Sequence, residues 1–374
     1  MAGYIFSVNS KTNVFDVIRQ GYYSTKLNIN SKKWGTHHEG TMADYLSMKE
    51  GDNVYFFQNR KIYGIGVLKK IKLDVKLKNF PDSDIPLVNE NEIPNNQMII
   101  NIDYDESAFS QRFLCTFIGN PMFFEDGVDM DEVLLSNPSA FKIVRAFEKL
   151  SFIKIDEIEN KALFDLILYK NKINFQNHTK VIEINKTIHS RINNIVNEEY
   201  IMNAQNILKL AIDKNNKLAH EMALEAYIID LISNQYDSIF GKWDYISHQV
   251  IASPFKPIMY VDKIDIFGYK FIRPFETISD YLMIEIKKGK AEIEVINQAM
   301  KYVDWIQKEY SHTYSMINAY IVAESFDESV VNARDDLAKR FYTEGRSPAV
   351  TKEWNNLKLI KYEIYDDGVK FIEL

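Results

Sequence analysis

The chain opens on short apolar runs punctuated by turns and closes on a mixture of strands and helices. Residues 3–8 read as a short strand and 12–20 as a helix closed by the turn-forming Gly21. The polar, glycine-containing stretch 30–42 predicts a loop holding Trp34 and the pair His37 and His38. Gly51-Asp52 feeds the apolar run Val54 to Phe57, a turn followed by a strand. Asn59-Arg60-Lys61 makes the next turn, and Ile62 to Leu68 a strand carrying Gly64 and Gly66, which mark a bulge or a close backbone approach. Pro81, Pro86 and Pro94 place 80–97 in loops. Strands are expected near 98–103 and 112–118, and helices over 139–149 and 156–168.

Residues 171–220 depart from this pattern. They contain no Gly or Pro, and Ile182, Ile184, Ile188, Ile192 and Ile195 predict one or two connecting helices. Beyond them the pattern gives a helix at 217–233 and strands near 246–252, 258–267 and 281–287. A helix at 291–309, a strand at 316–323, a helix at 328–341 and a strand at 357–365 complete it. Strands interspersed with helices imply a mixed α/β sheet. The expected domains are 1–170, a helical connector 171–214, and 215–374.

A length of 374 residues fits two domains, and 46% hydrophobic with 26% charged residues is the balance of a folded globular protein. Cys115 is the only cysteine, so an intramolecular disulfide and a multi-cysteine zinc site are both excluded. It lies in the apolar Phe113-Leu114-Cys115-Thr116-Phe117, the setting of an inert thiol. No basic-then-apolar leader opens the sequence, and no run approaches the roughly 18 apolar residues of a membrane span. The expectation is a cytoplasmic protein with no membrane partner.

Net charge is −7, but it is unevenly spread. Residues 1–80 carry 13 Lys/Arg against 6 Asp/Glu, whereas 81–170 carry 7 against 17. The run Lys69, Lys70, Lys72, Lys76 and Lys78 ends the basic block. It reads either as a stripe that meets phosphates or as lysines guarding a sheet edge. No Gly-x-x-x-x-Gly-Lys loop, His-Glu-x-x-His pair or Gly-x-Ser-x-Gly elbow is present.

The chemistry concentrates in two strands. In Ile284-Glu285-Ile286-Lys287, period two puts Glu285 and Lys287 on one face of an otherwise apolar strand. That placement is costly unless the two are paired or bind something. Asp265 stands similarly between Ile264 and Ile266. Two carboxylates brought together repel unless a cation holds them, and oxygen donors favour a hard one such as Mg²⁺. The plain alternative is an exposed Glu–Lys pair.

Asp265, nineteen residues, then Glu285-Ile286-Lys287 resembles the PD-(D/E)XK nuclease superfamily. The continuation through Lys288, Gly289 and Lys290, with Gln298, Tyr302 and Trp305 on one helix face, is similar to the nuclease domain of NucS-type endonucleases. Shedu-type defence nucleases share such a Glu-x-Lys core and are a second candidate relative. The resemblance covers roughly 215–374 and implies a restriction-endonuclease-like α/β sheet. It implies Asp265, Glu285 and the Ile286 backbone as ligands of Mg²⁺, or of Mn²⁺ in its place. It also implies catalytic roles for Glu225, Asp265, Glu285, Lys287 and Gln298, and DNA contacts from Lys288 and Lys290. Glu221 rivals Glu225, and Asp262 rivals Asp265. The proline that the family places before the aspartate is absent here. Near the N-terminus, Tyr4-Ile-Phe-Ser-Val-Asn9, Lys33-Trp34-Gly35 and the runs Gly51 to Phe57 and Ile62 to Val67 resemble an EVE or PUA-like barrel. That implies a nucleic-acid- or modified-base-binding module, with Trp34 as a stacking platform and Lys69 and Lys70 beside phosphates. The implied protein is a metal-dependent endodeoxyribonuclease of prokaryotic restriction or anti-phage defence, working as a homodimer or larger homo-oligomer on DNA. A repair nuclease and a non-catalytic DNA-binding protein are the alternatives.

Overall fold

The protein is described from a computed structural model, over residues 2–27, 34–86, 93–100, 110–142, 151–214, 217–234, 236–253, 262–365 and 368–374. The chain divides into two compact units, 1–206 and 207–374. Both are mixtures of helix and sheet.

Unit 1 begins with β1 (Gly3–Ser7), α1 (Val14–Arg19), β2 (Tyr22–Ser24) and α2 (Thr36–Leu46). Next come β3 (Asn53–Gln58), β4 (Lys61–Leu68), β5 (Lys76–Lys78), β6 (Phe113–Gly119), β7 (Phe123–Phe124) and β8 (Val128–Asp129). Then follow α3 (Met130–Ser136), β9 (Phe152–Ile155), α4 (Glu157–Lys170), α5 (Lys172–Asn177), β10 (Val181–Ile182) and α6 (Thr187–Ile195). The main sheet runs β2-β6-β4-β3-β1-β9, with β5 also on β6 and β8 on β4. The turn expected at 59–61 joins β3 to β4 through Asn59 and Arg60, both with positive φ. That two-residue geometry matches the twist of the flanking strands.

Strand β3 explains why clean alternation is missing. Tyr55 enters a core with Ile5, Ile155, Leu163 and Ile167, while its neighbour Phe56 turns to Phe6, Phe117 and Phe123. Both faces are covered, so successive residues are apolar. Gly66 meets the sequence expectation of a close approach: a Cβ there would run into the Phe123 ring.

Three sequence expectations are corrected in this unit. The predicted loop 30–42 turns, within its described part, into the start of α2. Its buried stripe of His38, Glu39, Met42, Ala43, Tyr45 and Leu46 has helical spacing, hidden by two polar members. Of the predicted connector 171–214, residues 171–206 fall in unit 1 and 207–214 in unit 2. Ile192, Val196 and Tyr200 share a core with Tyr22, Leu77 and Leu114, and His189 Nε2 bonds Gly21 O at 2.8 Å. The Ile-rich spacing there buries a face inside one unit, and the division falls at 206/207. Residues 98–100 form no strand, and the rest of that predicted strand, like 143–149 of the predicted helix 139–149, lies outside the described residues. Cys115 is buried, and burial pushes its thiol up to about 12, as its apolar setting implies.

Helix α7 (Ala204–Leu210) runs across the division, and unit 2 continues with α8 (Glu221–Ser233), β11 (Tyr245–Ile251), β12 (Lys263–Phe271) and β13 (Ile278–Ala291). It closes with α9 (Glu294–Glu309), β14 (Ile317–Phe326), α10 (Glu328–Leu337), β15 (Arg340–Glu344), β16 (Val350–Trp354), β17 (Leu357–Tyr365) and β18 (Gly368–Glu373). Six strands form one sheet in the order β11-β12-β13-β14-β17-β18. The three central strands β13, β14 and β17 are parallel, and the outer ones antiparallel. Helix α9 makes the crossover from β13 to β14, and its buried Ile296, Met300, Val303 and Ile306 explain its apolar face. Strand β13 has Leu282, Met283, Ile284, Glu285 and Ile286 all buried. A carboxylate in the middle of such a run needs a reason.

Candidate active site

Strand β13 places the site. Ile284 and Ile286 are fully buried on one face, which leaves Glu285 and Lys287 on the other. The β12–β13 register pairs Ile266 with Ile284. One step further, Asp265 comes opposite Glu285 on the same face. Asp265 Oδ2 accepts the Ile286 N–H at 2.8 Å. Lys287 Nζ donates to Glu285 Oε1 at 2.6 Å, and Glu285 Oε2, buried as well, has no hydrogen-bond partner among the described residues.

Helix α8 brings Glu225, which is 2% exposed, to the same place. Strand β11 supplies Gln249, whose Nε2 donates to both Glu225 oxygens at 3.2 and 3.1 Å and to Asp265 Oδ1 at 3.1 Å. His248 Nδ1 lies 3.6 Å from Glu225 Oε2. Of the two rivals, Glu221 instead accepts the Lys288 N–H at 3.1 Å, one helical turn from Glu225. Asp262 pairs with Lys301 at 2.7 Å.

Carboxylates outnumber cations here, and the titration of the groups reflects it. Burial raises the Asp265 carboxyl well above its usual range, and Glu285 and Glu225 push it the same way. The Ile286 N–H and Lys287 pull only partly against them. Burial likewise pushes Glu285 up to about 7, helped by Glu221 and Glu225 and opposed by Lys287. For Lys287 burial works against the ammonium, yet Glu285, Asp265 and Glu221 outweigh it and the net shift is upward. The buried carboxyls therefore lack enough positive partners and hold their protons more tightly than exposed ones do.

This donor set fits a hard divalent cation. Its members are carboxylate oxygens, one of them orphaned, in a place where added positive charge relieves repulsion. Asp265, Glu285 and the Ile286 carbonyl are the groups that could hold one. Among the described residues no group of three or more His, Cys, Asp or Glu side chains stands ready as a metal site. A set of two side chains and a backbone oxygen lies below that number.

The remaining predicted residues scatter. Gln298 donates to Tyr302 Oη at 3.2 Å on α9. The Tyr302 hydroxyl is raised, first by burial and then by Glu285 and Asp265, so this pair feels the acid cluster. Lys288 Nζ holds Ala219 O at 3.0 Å, and Lys290 pairs with Asp327 at 2.5 Å. Lys290 also lines a cavity of about 530 Å³ at the carboxyl ends of β13, β14 and β17, with Lys217, Glu324, Lys361 and Tyr362. Its lysines have carboxylate partners: Lys217 with Glu324 at 3.4 Å and Lys361 with Glu363 at 2.8 Å.

In unit 1 the expected nucleic-acid residues do not gather. Trp34 is 2% exposed, packed against Phe113 and His38 with the Arg112 guanidinium 5.9 Å from its ring. A base cannot stack on it in this arrangement. Lys69 pairs with Glu50 at 2.8 Å, and the Lys70 N–H donates to the same carboxylate at 3.3 Å. Lys76 and Lys78 are buried, the first on Leu46 O and Met48 O, the second on Asp84. The basic stripe is thus partly internal scaffolding.

Gln249 was not singled out by the sequence. The available signal is the polar triplet Ser247-His248-Gln249 between the apolar Ile246 and Val250.

The chain matches no family model and no curated protein. Among solved structures it is similar in part to a repair endonuclease from Pyrococcus abyssi, with 22% identity over 25% of this chain and 34% of that one, at a TM-score of 0.18. The chain thus spans about a third of that protein's length, and so partial an overlap assigns neither fold nor activity.

Proposed function

We propose that unit 2 is a metal-dependent endodeoxyribonuclease that hydrolyses DNA phosphodiester bonds, serving restriction or anti-phage defence. The observation that carries this reading is the buried meeting of Asp265, Glu285 and Lys287 at one point of the sheet. Asp265 and Glu285, with the Ile286 carbonyl, would hold Mg²⁺ or Mn²⁺. Such an ion, when bound, supplies positive charge against the phosphoryl oxygens and makes water a better nucleophile. Lys287 keeps its proton, so its ammonium serves to hold the attacking water or to meet charge developing on phosphorus. Glu225 and Gln249 fix the orientation of Asp265.

Unit 1 is proposed as an EVE/PUA-like module that selects the target, through groups other than the Trp34 ring. One acid cluster cuts one strand, so double-strand cleavage calls for a homodimer. Supercoiled plasmid incubated with the full chain tests the activity. Nicked or linear product with Mg²⁺ or Mn²⁺, and none in chelator, is expected. DNA binding without any cleavage would mark a non-catalytic binding protein instead.

A further inference from the structure

Gln249 occupies a conformation that its own backbone disfavours. It lies inside β11 between the paired positions His248↔Ile266 and Val250↔Ile264, yet its φ is +51°. The left-handed region is uncommon for a residue bearing a long side chain, and it persists only where the surroundings over-determine it. What is determined here is the position of one nitrogen. Nε2 reaches Glu225 at 3.1 and 3.2 Å and Asp265 at 3.1 Å.

The choice of an amide is informative. Its NH₂ carries two hydrogens and no charge, so it can orient two carboxylates without neutralising either. A lysine or arginine at 249 would cancel the charge that a cation needs. A glycine would relax the backbone and hold nothing. Asp265 is thereby fixed through both oxygens, Oδ1 by Gln249 and Oδ2 by the Ile286 N–H at 2.8 Å, with further lone pairs still available.

We infer that Gln249 is a positioning residue of the active site, clasping Asp265 to Glu225 so that the Asp265 carboxylate is oriented for a divalent cation before one arrives. This rests on the nuclease reading above. Partners of ligating carboxylates commonly change metal affinity by about tenfold to a hundredfold when removed.

The test uses the full chain with Gln249→Gly, which suits the positive φ, and Gln249→Asn, which tolerates it but is one methylene short of both carboxylates. Mn²⁺ affinity is measured by calorimetry, melting temperature in chelator, and kcat and KM on plasmid DNA. Both variants should melt cooperatively, bind Mn²⁺ about tenfold or more weakly, and lose kcat with KM little changed. Wild-type Mn²⁺ affinity in both variants overturns the inference. Failure of both to fold also overturns it, since Gln249 would then be structural. A wild-type chain that takes up no Mn²⁺ overturns the metal-site reading itself, and the inference falls with it.

Discussion

Replacing Glu285 by glutamine keeps the shape at the centre of unit 2 and removes a charge. Glu285 is 1% exposed, and its carboxyl is pushed up to about 7 by burial and by Glu221 and Glu225, against Lys287. In the unfolded chain the same group ionises near 4.5. Between these values the folded protein holds a proton that the unfolded chain has released. Stability therefore falls as pH rises through that window. Across the whole of it the loss is on the order of 3 kcal/mol. Asp265, raised for similar reasons, acts in the same direction. Glutamine has no proton to release and still accepts from Lys287. Urea unfolding in chelator can be followed by tryptophan fluorescence, because Trp243, Trp305 and Trp354 all lie in unit 2. Below pH 4, where Glu285 is protonated in both the folded and the unfolded chain, the variant and the wild type should unfold together. At pH 8 the variant should be the more stable by a few kcal/mol. Parallel pH dependences for the two proteins, or a variant weaker at pH 8, would refute the reasoning.

Other expectations follow from the same contacts. Lys287→Ala should lose most of the cleavage rate yet keep Mn²⁺ affinity by calorimetry, because an ammonium is no cation ligand. Trp34→Ala should cost about 3–5 kcal/mol of unit 1 stability in a thermal or urea melt, as a large-to-small core change. DNA affinity of the folded variant, read by filter binding, should stay within twofold of wild type. Deleting 1–206 should weaken DNA binding and flatten its salt dependence while leaving poorly selective, metal-dependent nicking; an unchanged salt slope would count against unit 1 as a DNA reader.

Much of unit 2 was legible because its strands and helices keep one period each. The strand expected at 357–365 matches β17, and the helix expected at 291–309 begins three residues later, at Glu294. Glu285 and Lys287 declared themselves as charges on an apolar strand, and the structure puts Asp265 beside them. Where the pattern misled, side-chain chemistry hid the burial. Helix α2 buries His38 and Glu39, polar residues that made its inner stripe look like loop. Lys76 and Lys78 read as a solvent-facing stripe, but the carbonyls ending α2 and the Asp84 carboxylate hold them inside. Trp34 sits among polar neighbours in sequence and among aromatic ones in space. Gln249 was passed over for another reason: a polar break in a strand carries little information by itself, and its role depends on a backbone angle and on three oxygens of Glu225 and Asp265.

Cleavage of DNA by the Asp265–Glu285 cluster is the claim on which the others depend. Single-turnover cleavage of supercoiled plasmid in Mn²⁺ should be compared for wild type, Asp265→Asn and Glu285→Gln, each shown to be folded by its melting transition. Metal-dependent strand cleavage by wild type is expected, with a loss of about a hundredfold or more in each variant at undiminished stability. Folded variants that cut at the wild-type rate would contradict it.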